Sequence, residues 1–294
     1  ITSMLVICVI ICLRCTIKFK VCNCYFLSTR ILSTVSTSNI EKISEITEGK
    51  SWFQLYHPSD DSITENILKR AEDSGINNLV ILADVPTFGY RSKEIINGLS
   101  LPPRITMSNL KSMLSKPKWL INTIINGKPS FDTLKPYMTK NLTLKQLGKF
   151  MDATFSGRLN KDKISRLRDL WKGNIIIKGL ESIEDINISE KIGLNGVIIS
   201  NHGGRQIDIG ESTVNSLKRI KLNYKGKMKI MMDSGIRDGA DIARVIACGA
   251  EFTFLGRTFM YSVAALGRNG GDHCVSMLKK QLNQIMGQLS CEKV

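Results

Sequence analysis

Short apolar runs alternate with longer amphipathic stretches along the chain, and this alternation predicts strands followed by helices. Several of the runs, such as 79–83, are apolar throughout, as expected for parallel strands that are buried on both faces. The predicted strands occupy 31–33, 52–55, 79–83, 175–178, 196–200, 228–232 and 252–255. The pattern is typical of an α/β protein with a parallel sheet.

The stretches between these runs predict amphipathic helices. In one of them, Ile242, Val245 and Ile246 recur at three- and four-residue spacing. The predicted helices occupy 62–74, 183–191, 212–219, 240–248 and 272–289.

The spacing of these elements favours a barrel. The last four predicted strands begin about 20 to 30 residues apart, which is the length of a βα unit. Seven units without an antiparallel hairpin predict a (β/α)8 TIM barrel, with a doubly wound sheet as the alternative. We expect one barrel domain over 28–294, with an insertion at about 101–171 where five prolines interrupt the period.

Residues 1–27 differ from the rest of the chain, because they are apolar and contain five of its eight cysteines. The apolar run 4–13 is shorter than the roughly 20 residues of a membrane-spanning helix. It could be the core of a signal peptide, a barrel strand or foreign sequence. The chain starts with Ile1 instead of Met, so we expect a fragment, and we assign this segment no function.

Composition narrows the possible partners. With 43% hydrophobic and 23% charged residues, the chain is typical of a globular protein. The net charge of +15 is mostly scattered lysine, so we expect solvated surface charge and no nucleic-acid partner, with an anionic partner or membrane surface as the alternative. The cysteines lack CxxC or Cys/His spacing, so we expect no metal site and a reducing, cytoplasmic compartment, with peripheral membrane association left open.

Polar and glycine residues cluster where the predicted strands end. In a TIM barrel the chemistry lies at the C-terminal ends of the strands, so this clustering predicts one functional site. In chain order the residues are Ser33, Gln54, Tyr56, Asp84, Lys178, Ser200, His202, Arg205, Asp233, Arg237, Gly256 and Arg257.

His202 lies in the string ISNHGGRQ, directly after an apolar strand. The two glycines let a ligand approach the backbone closely, and Arg205 supplies a fork that suits a carboxylate. We therefore favour a catalytic base at His202 over a structural histidine. Asp84 could orient the imidazole or only form a turn. Lys178 could stabilise anionic charge or be a solvated strand end.

Two consecutive strings, MMDSGIRDGAD and FLGRTF, each run from strand through glycine and arginine into a helix. Backbone N–H groups at a helix N-terminus bind phosphate, and the loops after barrel strands seven and eight are the usual phosphate site. Each string alone is a weak signal. As a consecutive pair, they predict a phosphate site.

Together these motifs closely resemble the FMN-dependent 2-hydroxy acid dehydrogenase/oxidase family, which includes L-lactate dehydrogenases and glycolate oxidases. The matching strings cover nearly all of residues 31–294 and are ILSTVSTSNIEKI, WFQLY, LADVPTFGYRSKEIINGLSLPPR, FSGRL, IIIKG, GVIISNHGGRQIDIG, MMDSGIRDGADIARVIACGA and FLGRTFMYSVAALG. The resemblance implies FMN as cofactor and oxidation of a small, lactate-like L-2-hydroxy acid to the 2-oxo acid. It also implies a homotetramer, and it leaves oxygen, a quinone or a cytochrome open as electron acceptor.

The resemblance further implies a role for each site residue. His202 would be the base, with Asp84 hydrogen-bonded behind it, and Lys178 would stabilise negative charge on the cofactor. The substrate would contact Tyr56, Arg91 and Arg205. The cofactor would contact Ser33, Gln54, Lys178, Ser200, Asp233, Gly235, Arg237, Gly256 and Arg257, the last five at its ribityl phosphate.

The sequence departs from the family in three places. The family's N-terminal segment, with its first barrel strand, has no recognisable counterpart in residues 1–27, so we expect an incomplete barrel with an open edge. Leu82 stands where many members have a threonine that contacts the flavin, and Val35 stands where several oxidases have an aromatic residue. The alternative to an active enzyme is a truncated, catalytically silent remnant without a redox role.

Overall fold

The computed structural model describes residues 7–11, 30–87, 91–98, 106–126, 130–139, 142, 144–155 and 157–292. In these ranges eight parallel strands form a closed barrel in chain order, with β8 paired to β1. The strands are β1 Ile7–Ile11, β2 Arg30–Ser33, β3 Trp52–Leu55, β4 Asn78–Leu82, β5 Asn174–Lys178, β6 Gly196–Ile199, β7 Lys229–Met232 and β8 Phe252–Leu255.

The predicted (β/α)8 barrel is confirmed, and all seven predicted strands are present. One expectation is corrected. The first barrel strand has a counterpart in residues 1–27, because β1 pairs with both β2 and β8 and leaves no open edge. Of the alternatives for the apolar run 4–13, the structure supports the barrel strand. The completeness of the first βα unit stays a prediction, since residues 12–29 lie outside the described ranges.

Helices follow the strands around the outside of the barrel. The five predicted helices are present as α2, α8, α9, α10 and α12. The bounds are α1 Ile40–Thr47, α2 Asp61–Asp73, α3 Ser92–Ile96, α4 Met107–Leu114, α5 Pro117–Asn126, α6 Leu144–Thr154, α7 Lys161–Leu170, α8 Ile183–Ile192, α9 Thr213–Asn223, α10 Gly239–Ala247, α11 Arg257–Leu266 and α12 Gly270–Gln288.

The long connection from β4 to β5 carries α3 to α7 and includes the predicted insertion. Within the ranges that the structure describes, no helix is both long and apolar enough to cross a membrane.

Local chemistry fixes where several of these helices begin and end. The Asp238 carboxylate accepts a hydrogen bond from the backbone N–H of Asp241 at 2.8 Å, which caps the N-terminus of α10. At the C-terminus of α8, Gly193 adopts the left-handed conformation (φ 94°) that terminates a helix with little strain.

Two apolar clusters hold the barrel together. The larger one lies between the strands and the surrounding helices. The smaller one, here called the inner cluster, fills the barrel with Ile31, Val80, Ile176, Ile198, Met231 and Phe254. Its members alternate along the strands with residues of the larger cluster, as expected when successive side chains point to opposite faces.

Candidate active site

The inner cluster determines which side chains reach the mouth of the barrel. Because strand side chains alternate, the residue two positions after an inner-cluster residue points into the same interior, at the C-terminal end of its strand. In β2, β5, β6 and β7 this step leads to buried polar residues, and in β3 it leads from Trp52 to Gln54. The resulting mouth layer consists of Ser33, Gln54, Lys178, Ser200 and Asp233.

Lys178 lies at the centre of the mouth layer, with only 2% of its side chain exposed. Its ammonium nitrogen Nζ is 3.0 Å from Asp233 Oδ2 and 3.6 Å from Asp84 Oδ2. Nζ also donates a hydrogen bond to Ser200 Oγ at 2.5 Å. One buried cation thus lies between two carboxylates, an arrangement that compensates each charge for its removal from water.

This pairing keeps the buried groups ionised. Burial lowers the pKa of Lys178, but the charges of Asp233 and Asp84 outweigh it and raise the pKa above its usual range. Burial likewise raises the pKa of Asp84, yet Lys178 and the hydrogen bond from His202 outweigh it and lower the pKa below 3.8. Lys178 and Asp84 therefore carry opposite charges near neutral pH.

His202 contacts Asp84, the carboxylate that is also paired with Lys178. Its ring nitrogen Nδ1 is 3.1 Å from Asp84 Oδ1, which favours a proton on Nδ1 and leaves Nε2 with a free lone pair. The adjacent turn is tight, with φ of 55° at His202 and 69° at Gly203. Gly179 makes room for this arrangement, because a Cβ atom there would lie 2.5 Å from Asp84 Cβ.

A second contact ties the His202 loop to the end of β7. The Ser234 hydroxyl accepts a hydrogen bond from the Gly203 N–H at 3.0 Å and donates one to Asp233 Oδ1 at 2.8 Å. Ser234 has φ of 73°, a left-handed conformation that strains a residue with a Cβ atom. The sequence analysis did not single out this serine. The signal that could have identified Ser234 is its position between Asp233 and Gly235, directly after β7.

Two of the predicted substrate residues, Tyr56 and Arg91, lie in the connections that follow β3 and β4. Tyr56 is half-buried, and its ring packs edge-on against Phe155 at 6.0 Å between centroids. Tyr56 also borders a cleft that Leu82 and Arg158 line. Arg91 is half-buried and accepts the first backbone hydrogen bond of the short α3. Phe155 and Arg158 were missed as individual residues, although they lie in the quoted string FSGRL.

Three arginines, Arg205, Arg237 and Arg257, follow the consecutive strands β6, β7 and β8. Burial lowers the pKa of Arg257, and repulsion from Arg237 and Arg205 lowers it further. Arg257 Nη2 donates a hydrogen bond to the Gly203 carbonyl at 2.8 Å, while Arg205 itself is exposed. Guanidinium groups that repel one another in this way favour an anionic ligand nearby.

Glycines leave open space beside these arginines. A Cβ atom at Gly235 or Gly256 would meet no atom within 4 Å. Gly256 also caps the N-terminus of α11 without a side-chain hydrogen bond, so the first N–H groups of this helix face the same region. These features suit a phosphate group.

The mouth layer also suits a flat polar ring. Gln54 is 2% exposed, and among the described residues its Oε1 atom has no hydrogen-bond partner. A buried amide oxygen in that state is unfavourable unless a ligand donates to it. The residues at the barrel mouth therefore fit FMN: Gln54 and Lys178 would contact its ring, and the arginines would hold its phosphate. Within the described ranges, no group of three or more His, Cys, Asp or Glu could hold a metal ion.

One predicted contact differs in detail from what the resemblance implies. Asp233 was assigned to the ribityl phosphate. In the structure its carboxylate contacts Lys178 and Ser234, deeper in the mouth layer. Its buried position follows from the two-residue step after Met231, which places its side chain inside the barrel.

Comparisons with known proteins agree with this geometry. A family model described as FMN-dependent dehydrogenase matches residues 26–294. An L-lactate dehydrogenase of Vibrio cholerae serotype O1 (strain M66-2) is 36% identical over 256 residues, covering 87% of this chain and 68% of that protein. An L-lactate dehydrogenase of Alcaligenes faecalis is 32% identical over 264 residues, covering 90% and 69%.

Solved structures show the same fold. The structure of a monotopic membrane protein, (S)-mandelate dehydrogenase, superimposes with a TM-score of 0.83 at 30% identity and covers 90% of this chain and 69% of that one. A mandelate oxidase gives a TM-score of 0.71 at 24% identity and covers 90% and 67%.

Proposed function

Because this chain belongs to the FMN-dependent dehydrogenase family, we propose that it oxidises a small, lactate-like L-2-hydroxy acid to the 2-oxo acid with FMN as cofactor. One observation carries the proposal: His202, Asp84 and Lys178 are linked in one network at the mouth of the barrel. TIM-barrel enzymes carry their chemistry at this end. We also propose that residues 28–294 form the catalytic domain, with 101–171 as its insertion.

The chain's own residues would hold the cofactor in two parts. Ser33, Gln54, Lys178 and Ser200 would contact the ring. The ribityl phosphate would contact Gly235, Arg237, Gly256 and Arg257, while Asp233 would hold the ammonium group of Lys178 in place. When bound, FMN supplies an acceptor for two electrons at its N5 atom. Lys178 would keep a fixed positive charge beside the ring, because its two carboxylate partners keep it protonated.

His202 would act as the base. Its Nδ1 faces Asp84, so Nε2 is free to take a proton from the carbon or the hydroxyl of the 2-hydroxy acid. The Asp84 carboxylate then stabilises the imidazolium that forms. This pair would hold the transferred proton while the substrate loses its two electrons.

Substrate orientation would come from three residues at the rim. Arg205 would pair with the substrate carboxylate through its two-pronged guanidinium group. Tyr56 would hydrogen-bond the reacting oxygen, and Arg91 would approach both the substrate and the charge on His202. Together they would hold the reacting carbon near the base and near the cofactor.

The alternative of a catalytically silent remnant is disfavoured by two observations. The family match extends over 26–294, and every predicted mouth-layer residue is buried in the barrel interior. The side chains that the proposed chemistry needs are therefore present together at the mouth of the barrel.

Anaerobic mixing of the FMN-loaded protein with L-lactate tests the proposal. We expect the flavin absorbance near 450 nm to bleach in the wild type. His202→Gln should bind FMN with similar affinity and bleach at least about a hundredfold more slowly, because the base is gone. Bleaching of this variant at the wild-type rate would contradict the assignment of the base.

Acceptor, assembly and location are proposed from the family resemblance and the composition. We propose oxygen, a quinone or a cytochrome as the electron acceptor, and a homotetramer as the assembly. We propose a cytoplasmic location with peripheral contact to a membrane, in line with the monotopic (S)-mandelate dehydrogenase to which the chain is similar. Reoxidation rates with each acceptor, light scattering and cell fractionation test these points separately.

A further inference from the structure

A cavity of about 210 Å³ lies between helices α2 and α7, beside the cleft that Tyr56 and Leu82 line. The described residues that border it include none of the mouth layer. An apolar cavity of about 150 Å³ can hold benzene, so this one has room for a slightly larger ligand. We call it the α2–α7 cavity and define it by His57, Thr64, Lys163, Arg166, Leu167 and Leu170.

Two leucines of α7 give the cavity an apolar wall. Leu167 and Leu170 are three residues apart, which puts them on the same side of the helix. Thr64 faces the cavity from α2, and its hydroxyl already donates to the Asp60 carbonyl at 3.3 Å. A ligand that displaces water from the leucines gains free energy. The cavity therefore favours a ligand with an aliphatic part.

The cations of the cavity are compensated unequally. Arg166 is paired with Asp61 and Glu65 on α2. Lys163 is half-buried, and among the residues that the structure describes no carboxylate forms an ion pair with it. Asp162 also borders the cavity, but its side chain is exposed. A half-buried ammonium group without a counter-charge favours an anionic ligand.

His57 lies close to this ammonium group. Burial lowers the pKa of His57, and the charge of Lys163 lowers it further, while backbone hydrogen bonds and Asp61 oppose the change by less. A Cβ atom at Gly157 would lie 3.8 Å from Lys163 Nζ, which places the ammonium beside the loop that precedes α7. An anion near both groups would relieve the repulsion between them.

We infer that the α2–α7 cavity binds a short aliphatic monocarboxylate. The carboxylate would accept a hydrogen bond from Lys163 Nζ and face the His57 imidazole, and the aliphatic chain would lie against Leu167 and Leu170. A branched acid such as 3-methylbutanoate is about one non-hydrogen atom larger than benzene, so it fits the volume. The inference goes beyond the proposed function and does not rest on it, because no step of the oxidation uses these residues.

Three other kinds of ligand fit less well. A metal cation would be repelled by Lys163, and the Asp61 carboxylate is already paired with Arg166. Inorganic phosphate would pair with Lys163 but would leave the leucines in contact with water. A neutral apolar molecule would bury the ammonium group without a counter-charge, which is unfavourable. A carboxylate with an aliphatic chain satisfies both walls of the cavity.

Isothermal titration calorimetry of the FMN-loaded chain with 3-methylbutanoate tests the inference. Arg205 would also attract a carboxylate at the barrel mouth, so the titration uses Arg205→Gln as the parent protein. We expect a single molecule to bind. Adding Lys163→Gln should weaken binding at least about tenfold, because a charge-assisted hydrogen bond is lost. Adding Leu170→Ala should weaken it about threefold, because less apolar surface is buried.

The matched control is Lys161→Gln, which makes the same charge change on the same helix. Lys161 is exposed and does not border the cavity, so this variant should bind as the parent does. The neutral analogue 3-methylbutanamide and inorganic phosphate should each bind at least about tenfold more weakly than 3-methylbutanoate. Circular dichroism should show the same thermal transition for all variants, which excludes misfolding as the cause of lost binding.

Three results would overturn the inference. The first is that Lys163→Gln binds 3-methylbutanoate as tightly as Lys161→Gln does. The second is that inorganic phosphate binds as tightly as 3-methylbutanoate, which would make the cavity a general anion site. The third is that binding occurs only while Arg205 is intact, which would place the carboxylate at the barrel mouth. A chain that binds as expected but is not bleached by L-lactate would contradict the proposed chemistry and not the cavity.

Discussion

The mouth layer differs from the exposed apolar side chains of α4 and α5, here called the α4–α5 surface. This surface consists of Met107, Leu110, Leu114, Ile121, Ile124 and Ile125. In the mouth layer, Lys178 is a charged residue in the interior, and it is paired with the carboxylates of Asp84 after β4 and Asp233 after β7. On the α4–α5 surface, residues such as Ile124 are apolar and exposed, and no described residue covers them. A charge that is buried and paired within one chain needs no partner, whereas an exposed apolar stripe gains stability only when a partner covers it.

This difference separates two kinds of recognition. The mouth layer is preorganised, because its hydrogen bonds and ion pairs exist before any ligand binds. The α4–α5 surface gains its stabilisation only on contact, since the free energy of apolar burial is realised when water is displaced. Substitutions in the first region should therefore change catalysis or stability. Substitutions in the second should change association alone.

The largest effect is expected for Asp84→Asn. The amide keeps the shape but removes the charge that orients and stabilises the His202 imidazole, so we expect the rate of flavin bleaching to fall on the order of a thousandfold. Stopped-flow mixing with L-lactate measures it. A loss below about threefold would show that Asp84 has no part in the chemistry.

The same variant tests the pH dependence of stability. The pKa of Asp84 is lowered in the folded protein, so its contribution to the free energy of unfolding is fully present above the unfolded value near 3.8. It is lost as the pH falls from about 4 through the folded pKa. Urea titrations should show that Asp84→Asn has a flatter decline in this range than the wild type. An equal decline would contradict the shift.

A large loss of stability is expected for Lys178→Met. Removing the ammonium group leaves Asp84 and Asp233 buried without a counter-charge, which costs about 3–5 kcal/mol of the free energy of unfolding. The control is Lys229→Met on β7, whose exposed ion pair with Glu251 is worth at most about 1 kcal/mol. Equal losses in urea denaturation would mean that burial does not govern the effect.

The sequence predicted that the mouth-layer residues lie at one end of the barrel, because TIM-barrel chemistry lies at the C-terminal ends of the strands. The alternation of strand side chains explains why Lys178 and Asp233 point inside, but the contact between them was not predicted. The link through Ser234 was not predictable, because it depends on how two loops from different strands meet. The strand Ile7–Ile11 was left open among three alternatives, since a short apolar run carries no period of its own. The α4–α5 surface was missed because apolar spacing alone indicates burial.

A smaller effect is expected at Ser234, which connects the His202 loop to Asp233. Ser234→Ala and Ser234→Gly both remove the hydroxyl, so each should lower kcat about tenfold with little change in KM if the serine positions the base. The glycine variant relieves the strain of the left-handed conformation and should be about 1 kcal/mol more stable than the alanine variant. Wild-type kcat in both would leave the serine with a structural role only.

The smallest effect is expected for Ile124→Ala, and it tests the comparison most directly. Ile176→Ala removes the same atoms from the inner cluster and should cost about 2–5 kcal/mol of the free energy of unfolding. Ile124 is 72% exposed, so its truncation should cost less than about 0.5 kcal/mol. Urea denaturation without lipid measures both. If Ile124→Ala destabilises the free protein as much as Ile176→Ala does, α5 is already buried against another part of this chain and cannot be a surface that gains its stability from a partner.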